Sequence, residues 1–368
     1  MPACSRARVL ACPLARERKC PGTLLSVRKR GSVLSMPRWS GDLAAIAGAP
    51  AILVCALALA GCGLAAGPSA GNISLTVTRS FGAVPVGFAE RSRAPGSETA
   101  LRMLEGTFRV KTRSGGGSIE AIDGQAANSP RLQWSYYVNG IEGSVGALST
   151  AVHRGDSVWW DLHDRSATGS VPAVVGSFPE PFLHGIGGKR LPTTLECAPD
   201  AAKACARVAA SLGAVDVPAS SQLLGTGSGQ DTLSVVVGTW SELKPELVAD
   251  LIDHGPSASG VYARFTGPGG NALQLLDEHS RLVRTLGAGA GLIATTADPG
   301  SVPTWLVTGT DSAGVTAAAA AFSKARLHDH YALAVQGSRD LPVPATAPDP
   351  ASGSGRGSTR SRALARPR

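Results

Sequence analysis

The sequence is poor in aromatic and charged residues, and it lacks a long uninterrupted apolar run. Aromatic side chains make up 5% of the 368 residues and charged side chains 17%. The main apolar stretch, residues 46–61, is shorter and richer in alanine than a typical membrane-spanning helix. The chain also shows no convergent metal ligands and no nucleophile beside a base, so we predict no metal, no cofactor and no catalytic residue. The densest histidine group, His328-Asp329-His330, is better interpreted as a solvated helix end.

The net charge of +8 is concentrated at the two ends of the chain. Nine Lys/Arg against two acidic residues give residues 1–61 a charge of +7, and five arginines give residues 351–368 a charge of +5. The body between these segments therefore carries −4. A slightly acidic body has no general attraction for nucleic acid, so we predict no nucleic-acid partner.

The apolar segment 46–61 ends in Leu59-Ala60-Gly61, directly before Cys62. Small residues at the end of such a segment are typical of a signal-cleavage site. The pattern resembles the bacterial lipobox, in which the cysteine receives a diacylglycerol and becomes the mature N-terminus. We therefore predict export, and lipid anchoring through Cys62 to the extracytoplasmic face of the cell membrane. An ordinary signal peptide, or a spanning helix with an incidental cysteine, is the alternative.

The number and positions of the cysteines indicate an oxidising compartment. Four of the seven precede the predicted cleavage site, and Cys62 would carry the lipid. Cys197 and Cys205 remain as one even pair, separated by eight residues. They lie at the end of a predicted strand and in the first turns of a predicted helix, which allows a disulfide. Two reduced, packed thiols are the alternative.

The scarce aromatic residues are concentrated in one stretch, residues 134–161. Alternation over residues 134–138 predicts a half-buried strand, Asn139-Gly140 predicts a tight turn, and residues 157–162 predict a second strand. Trp159 and Trp160 are adjacent and therefore point to opposite faces, so one of them must pack against the second domain, a ligand or solvent. The residues predicted to bind a ligand are Trp134, Tyr136, Tyr137, Asn139, Trp159 and Trp160.

The same stretch carries a family resemblance. Its motifs are Tyr136-Tyr137-Val138-Asn139-Gly140, Gly146, and Arg154-Gly155-Asp156-Ser157-Val158-Trp159, preceded by a short helix pattern at 98–104 and a strand and turn at 117–124. Over about residues 72–165 this pattern resembles the transcobalamin-C-terminal-like domain of unknown function found in bacterial surface proteins. The resemblance implies a small β-grasp-like module. In the vitamin carriers this module forms one wall of a cobalamin site, so the resemblance also implies a corrinoid as one candidate ligand.

Composition and pattern divide the chain into six predicted segments. They are a basic extension with a lipoprotein signal peptide (1–61), a tether (62–71), the β-grasp-like domain (72–165), a Gly/Pro-rich linker (166–190), an α/β domain with a mixed sheet (191–337) and a disordered Pro/Ser/Arg-rich tail (338–368). The predicted fold class is therefore α+β. Because residues 1–35 make an unusually long basic prefix for a signal peptide, we further hypothesise that translation starts at Met36.

These features predict a non-catalytic protein of the cell envelope. It would bind a small-molecule ligand or an envelope protein through the aromatic face and the cleft between the two domains. A structural or protein-interaction module without a small-molecule ligand is the competing interpretation. An enzyme ranks third, because the single Gly-x-Ser-x-Gly match, Gly67-Pro68-Ser69-Ala70-Gly71, lies in the predicted tether and not between a strand and a helix.

Overall fold

The computed structural model describes residues 72–92, 96–113, 118–229 and 231–346. All of these belong to one compact unit, Cys62–Arg368. The predicted signal peptide and Cys62 lie outside the described residues. Helices and several sheets occur together, which confirms the predicted α+β class. Within the described ranges, no helix has both the length and the apolar character needed to cross a membrane.

The first part of the fold contains two sheets and one helix. Its elements are β1 (Ile73–Arg79), β2 (Val84–Arg91), α1 (Ala100–Glu105), β3 (Val110–Arg113), β4 (Ser118–Ile122), β5 (Gln125–Ala126), β6 (Leu132–Val138), β7 (Ile141–Glu142) and β8 (Ser157–Asp164). The main sheet has the order β2-β1-β8-β6-β7, in which β1 and β8 are parallel and the other pairs antiparallel. Strands β3, β4 and β5 form a small antiparallel sheet.

Helix α1 covers one face of the main sheet. Thr99 caps its start, because the Thr99 hydroxyl accepts a hydrogen bond from the backbone N–H of Arg102 at 3.2 Å. Met103 and Leu104 are fully buried in a core that also contains Leu75 and Trp160. Alternation along β1 and β8 supplies this apolar face and leaves a second face available for packing.

The second part of the fold is built on a seven-stranded mixed sheet. Its elements are β9 (Thr193–Cys197), α2 (Ala202–Gly213), β10 (Ala219–Leu223), β11 (Leu233–Thr239), α3 (Trp240–Leu243), α4 (Leu247–Asp253), α5 (Pro256–Ser259), β12 (Ala263–Thr266), β13 (Ala272–Leu276), β14 (Leu282–Leu286), β15 (Ala290–Thr296), β16 (Thr304–Gly309), α6 (Ser312–Ala321), α7 (Lys324–Leu327), β17 (Ala332–Gln336) and β18 (Arg339–Val343). The strand order in the seven-stranded sheet is β10-β9-β11-β16-β15-β17-β18. The first four strands are parallel and the last three join antiparallel.

The two faces of the seven-stranded sheet are covered differently. One face packs against α2 and α6 in a core that contains Val208 and Val315. The other face shares its core with the antiparallel sheet β12-β13-β14 and with Tyr137 and Trp159 of the main sheet. The two parts of the fold therefore bury apolar side chains against each other.

Several elements differ from the sequence expectations for physical reasons. The sequence predicts one helix over residues 241–254, ending before Gly255-Pro256. The structure divides it into α3 and α4, because Pro245 lies between them and lacks a backbone N–H. The sequence also predicts one alanine-rich helix that is capped by Asp311 and extends to about Leu327. The structure divides it into α6 and α7. The predicted tail begins too early at 338, because β18 extends the mixed sheet to Val343.

Residues 166–190, expected to form a linker, are packed into the fold. Val174, Phe178 and Phe182 are at most 2% exposed. The Phe182 ring centroid lies 5.0 Å from that of Trp305 on β16. The segment therefore contributes apolar side chains to both cores that flank the seven-stranded sheet.

Candidate ligand-binding site

The aromatic residues of β6 and β8 are distributed over both faces of the main sheet. In the antiparallel register Tyr136 pairs with Trp160, and Tyr137 pairs with Trp159. Side chains alternate along a strand, so each pair belongs to a different face. The Tyr136–Trp160 pair lies on the face covered by α1, and the Tyr137–Trp159 pair on the face toward the seven-stranded sheet. The six residues predicted to bind a ligand therefore do not form a single surface.

Asn139, one of those six, has a structural role in the turn after β6. Asn139 and Gly140 both have positive φ, 53° and 76°, as the Asn-Gly pair predicts. The Asn139 amide Nδ2 donates to Asp156 Oδ1 and to the backbone oxygen of Gly185, each at 2.8 Å. Its Oδ1 accepts from the backbone N–H of Ser157 at 2.8 Å. Asn139 is thus buried, with its amide engaged by protein groups.

The face toward the seven-stranded sheet is organised around a buried carboxylate, Asp161. This carboxylate accepts hydrogen bonds from Thr78 Oγ1 at 2.5 Å, from the backbone N–H groups of Phe81 and Gly82 at 3.0 and 3.1 Å, and from Tyr331 OH at 3.2 Å. His163 Nδ1 lies 2.9 Å from the same carboxylate. Burial disfavours the charged form of Asp161. The hydrogen bonds and the charge of His163 outweigh this effect and hold the pKa of Asp161 below its usual value.

Aromatic rings close around this polar cluster. The Tyr331 ring packs edge-on against Phe81 and Trp159, with centroid distances of 5.0 and 5.3 Å. The Trp159 indole Nε1 donates to Thr78 Oγ1 at 2.7 Å. Close approach of the two parts is also required at Gly82, where an added Cβ would lie 1.9 Å from the Asp329 carbonyl oxygen. Protein side chains therefore fill the space beside Trp159, whereas a cavity of about 570 Å³ remains between the two parts of the fold, lined by Phe81, Asp277 and His330 among others.

The opposite face of the main sheet borders a cavity of about 830 Å³. Its walls include Trp134, Tyr136 and Trp160, together with Leu101, Ala127 and Ala147. The Tyr136 and Trp160 rings are stacked with centroids 4.9 Å apart and an interplanar angle of 28°. A volume of this size is within the range of small-molecule sites in proteins. Three of the six predicted residues therefore lie at one cavity.

The loop 143–150 forms one wall of the cavity and is attached to the sheet through Tyr136. The Tyr136 hydroxyl donates to the backbone oxygen of Val145 and lies 2.7 Å from Thr150 Oγ1. At Gly143 an added Cβ would lie 1.9 Å from the Tyr136 ring, so only glycine lets the loop pass this close. Burial raises the pKa of the Tyr136 hydroxyl, which favours its neutral, hydrogen-bonding form.

Charged side chains at the cavity are balanced in sign. Arg165 Nη2 lies 3.3 Å from Glu142 Oε1, and both side chains are largely buried. Glu142 also accepts hydrogen bonds from the Ser170 hydroxyl and the backbone N–H of Val171. Arg113 and Glu120 are exposed at the rim. The site therefore has two positive and two negative side chains, with one ion pair formed within it.

Three aromatic wall residues, Trp134, Tyr136 and Trp160, were predicted from the sequence, but the rest of the cavity wall was not. Ala127, the loop 143–150 and the Arg165–Glu142 pair were not predicted. On the other face, Trp159, Asp161 and His163 alternate along β8 and therefore share one side of the strand. Two polar residues beside a tryptophan on one strand face were a sequence signal for the buried polar cluster. No sequence signal indicated that Tyr331, more than 160 residues away, belongs to the same cluster.

The predicted cysteine pair lies in the second part of the fold. Cys197, at the end of β9, forms a disulfide with Cys205 of α2, and their Cα atoms are 6.0 Å apart. In the described part of the chain, no group of three or more His, Cys, Asp or Glu side chains is arranged to hold a metal ion. At His328-Asp329-His330, His328 Nδ1 pairs with Asp329 at 3.0 Å, while burial lowers the pKa of His330.

Comparison with known proteins gives one family match. The family model described as "Domain of unknown function (DUF4430)" matches residues 97–164, the segment that contains α1, β6, β8 and the cavity loop. This family is transcobalamin-like, in agreement with the resemblance in the sequence analysis. No curated protein matches the chain.

Proposed function

We propose that this protein is an exported, lipid-anchored protein of the cell envelope that binds a small-molecule ligand without transforming it. The ligand site is the cavity walled by Trp134, Tyr136 and Trp160. The observation that carries this proposal is the cavity itself, whose lining residues other than Arg165 belong to the segment matched by the family model and whose volume is that of a small-molecule site.

Support for a non-catalytic role comes from the chemistry of the cavity walls. The ionisable groups there are an arginine–glutamate pair, two rim charges and the Tyr136 hydroxyl, which is hydrogen-bonded to the loop 143–150. The Asp161–His163–Tyr331 cluster has the residue types of an acid–base site, but all three side chains are buried and hydrogen-bonded to one another. A ligand in the cavity therefore meets binding groups and no nucleophile–base pair.

Thermal unfolding of the full-length protein with a ligand panel tests the binding proposal. The panel contains cyanocobalamin as the corrinoid implied by family resemblance, haem as a second flat ligand, and chitotriose as a glycan. A ligand at a hundred times its Kd stabilises the folded state by about 2.7 kcal/mol. Each kcal/mol raises the Tm of a protein of this size by about 2–4 °C. We expect a saturable rise of several degrees with one member of the panel.

Matched tryptophan insertions locate the site. Ala127→Trp places an indole in the cavity and should abolish the rise, whereas Ala206→Trp, at an exposed position of α2, should leave it unchanged. If the rise persists in Ala127→Trp, the ligand binds elsewhere. Unchanged Tm values across the whole panel would count against a small-molecule carrier.

The lipid anchor is tested separately. Cys62→Ser should move the protein from the membrane fraction to the soluble fraction in a bacterial host that processes lipoproteins. Cys55→Ser, which lies before the predicted cleavage site, is the matched control and should remain in the membrane fraction. Equal membrane retention of both variants would contradict lipidation at Cys62.

A protein-interaction module is the second candidate. The observation that favours it is the cavity loop, on which Val145 and Leu148 are 57% and 50% exposed. If an envelope protein docks there, Leu148→Glu should abolish cross-linking to that protein while Ala127→Trp leaves it intact. The opposite result would assign the loop to the ligand cavity.

A further inference from the structure

The parallel part of the seven-stranded sheet contains a topological switch point between β9 and β11. The spatial order of its strands is β10-β9-β11-β16, so the chain leaves β9 toward one edge of the sheet and leaves β11 toward the other. The four strands are parallel, and their carboxyl ends therefore lie at the same end of the sheet. In open α/β sheets, ligands bind in the crevice outside the carboxyl ends of the strands at such a point.

A cavity of about 540 Å³ lies at this position. Its walls come from the segments that follow three of the parallel strands: residues 199–204 after β9, Thr239 and Glu242 after β11, and residues of the first turns of α6 after β16. The volume is within the range of small-molecule sites. This cavity shares no lining residue with the cavity beside Trp160, so it is a separate candidate site.

Two of the walls are held in place by contacts within the second part of the fold. The Cys197–Cys205 disulfide joins the end of β9 to α2 and closes the loop that supplies residues 199–204. In the turn after β11, Glu242 Oε2 accepts hydrogen bonds from Thr239 Oγ1 at 2.7 Å and from the Thr239 backbone N–H at 2.8 Å. Walls that are already fixed lose little conformational entropy when a ligand binds.

The lining combines small apolar side chains with hydrogen-bonding groups of both kinds. The apolar part consists mainly of alanine and valine, namely Ala201, Ala202, Ala204, Ala313 and Val315. The polar part consists of two carboxylates, one ammonium group and three hydroxyls, from Asp200, Glu242, Lys203, Thr239, Ser312 and Thr316. Asp200, Lys203 and Ser312 are exposed, so their side chains are accessible to a ligand.

These groups match a ligand that donates and accepts hydrogen bonds without carrying a charge. An anion would face the carboxylates of Asp200 and Glu242, and a cation would face the ammonium group of Lys203. No aromatic residue of the described chain lines this cavity, so a flat aromatic ligand would have no ring to stack on. A hydroxyl group fits the lining, because it donates to a carboxylate and accepts from an ammonium group or another hydroxyl.

We infer that the second part of the fold has its own binding site at the carboxyl ends of β9, β11 and β16, and that its ligand is a small, uncharged compound with several hydroxyl groups, of the mono- or disaccharide type. The inference goes beyond the proposed function, which concerns the cavity beside Trp160. Either site can bind a ligand without the other.

Calorimetric titration of the full-length protein with maltose, cellobiose and trehalose tests the inference. AMP is the comparison ligand, because it carries both a negative charge and an aromatic ring. Ala202→Trp places an indole at the cavity wall. Ala206→Trp is the matched control, because Ala206 lies one helical turn further along α2, is exposed and does not line the cavity.

We expect at least one of the three disaccharides to bind, and to bind more tightly than AMP. Ala202→Trp should weaken this binding at least tenfold, whereas Ala206→Trp should leave it unchanged. Asp200→Ala should weaken it about tenfold, the loss typical of one hydrogen bond to a charged group. The Tm of each variant without ligand shows whether the variant is folded.

The inference is overturned if none of the three disaccharides binds, if AMP binds more tightly than all of them, or if Ala202→Trp and Ala206→Trp affect binding equally. Ala127→Trp, which fills the cavity beside Trp160, separates the two sites. If Ala127→Trp abolishes disaccharide binding and Ala202→Trp does not, the sugar occupies the cavity of the proposed function. The inference then fails while the proposed function stands.

Discussion

Trp159 and Trp160 are neighbours in one strand and are equally buried, at 2% and 1% exposure, but they occupy different environments. The Trp159 indole donates to Thr78 and packs against Tyr331 from the second part of the fold. The Trp160 indole stacks on Tyr136 beside a cavity, and its N–H has no acceptor in the described part of the chain. One face of the sheet thus packs against the second part of the fold, and the other borders a cavity.

Burial alone does not identify a binding residue. Both tryptophans are inaccessible to solvent, so exposure cannot separate a structural from a functional role. What separates them is the state of their polar atoms, because a folded protein normally provides acceptors for the donors it buries. On the face around Asp161 the Trp159 indole and the Thr78 hydroxyl have partners, but the Tyr137 hydroxyl has none among the described residues. On the cavity face neither the Trp134 nor the Trp160 indole N–H has an acceptor among the described residues.

The largest loss of stability is expected from removing the carboxylate of Asp161, on the face that packs against the second part of the fold. Asp161→Ala leaves buried donors from Thr78, Phe81, Gly82 and Tyr331 without an acceptor. We expect a loss of about 3–5 kcal/mol in the free energy of unfolding, measured by urea denaturation. Asp164→Ala, at the partly exposed end of the same strand, is the control and should lower the free energy of unfolding by less than half as much. Similar losses for both variants would contradict a special role for Asp161.

Because of the Asp161 carboxylate, we expect the free energy of unfolding to fall at acidic pH. Because the folded-state pKa of Asp161 is lowered, its stabilising effect is complete above the unfolded pKa of about 3.9 and disappears as the pH falls through the folded value. Unfolding measured between pH 7 and pH 3 should therefore show a shallower loss of stability in Asp161→Asn than in the native protein. Parallel curves would contradict this assignment.

The two adjacent tryptophans give the sharpest test of the comparison. Trp159→Phe and Trp160→Phe remove similar volumes from buried positions, but only Trp159→Phe breaks an indole hydrogen bond. We expect Trp159→Phe to destabilise the protein by about 1 kcal/mol more than Trp160→Phe in urea denaturation. Equal losses in the free energy of unfolding would mean that the hydrogen bond of the Trp159 indole does not stabilise the protein relative to the Trp160 indole.

The two tyrosine hydroxyls give a smaller contrast. Tyr331→Phe removes a donor to buried Asp161 and should cost about 1–1.5 kcal/mol. Tyr136→Phe removes a contact to the partly exposed loop 143–150 and should cost no more than about 0.5–1 kcal/mol. Hydrogen exchange should show faster opening of this loop in Tyr136→Phe only. Faster exchange of the loop in Tyr331→Phe would contradict the separation of the two faces.

The smallest effect is expected at His184, where residues 178–190 contact the first part of the fold. The Nδ1–Glu180 hydrogen bond raises the pKa of His184, with a further contribution from the nearby charge of Asp156. A raised folded-state pKa stabilises the protein below the unfolded pKa of about 6.5, and the contribution is lost as the pH rises through the folded value. His184→Gln should flatten the Tm profile between pH 6 and pH 8. A profile as steep as that of the native protein would exclude His184 as the titrating group.

Much of the local structure was predictable because it depends on neighbouring residues. Alternation identified β6 and β8, and Asn139-Gly140 identified the turn that follows β6. Strands β10, β15 and β18 were missed, since β10 is polar and lies at a sheet edge and β15 follows a glycine run that masked its apolar pattern. The linker interpretation of 166–190 rested on Gly and Pro content, which does not reveal that Phe178 and Phe182 are buried.

The sequence by itself determined that Trp159 and Trp160 point in opposite directions, because the side-chain period of a strand is two. It also placed Trp134, Tyr136 and Trp160 within one aromatic-rich segment. Only the tertiary structure decided which tryptophan would be enclosed by protein. Tyr331, which is distant in the chain, packs against Trp159 and also against Phe81, whereas Trp160 borders a cavity. Such long-range contacts depend on how whole sheets pack, and no local pattern encodes them.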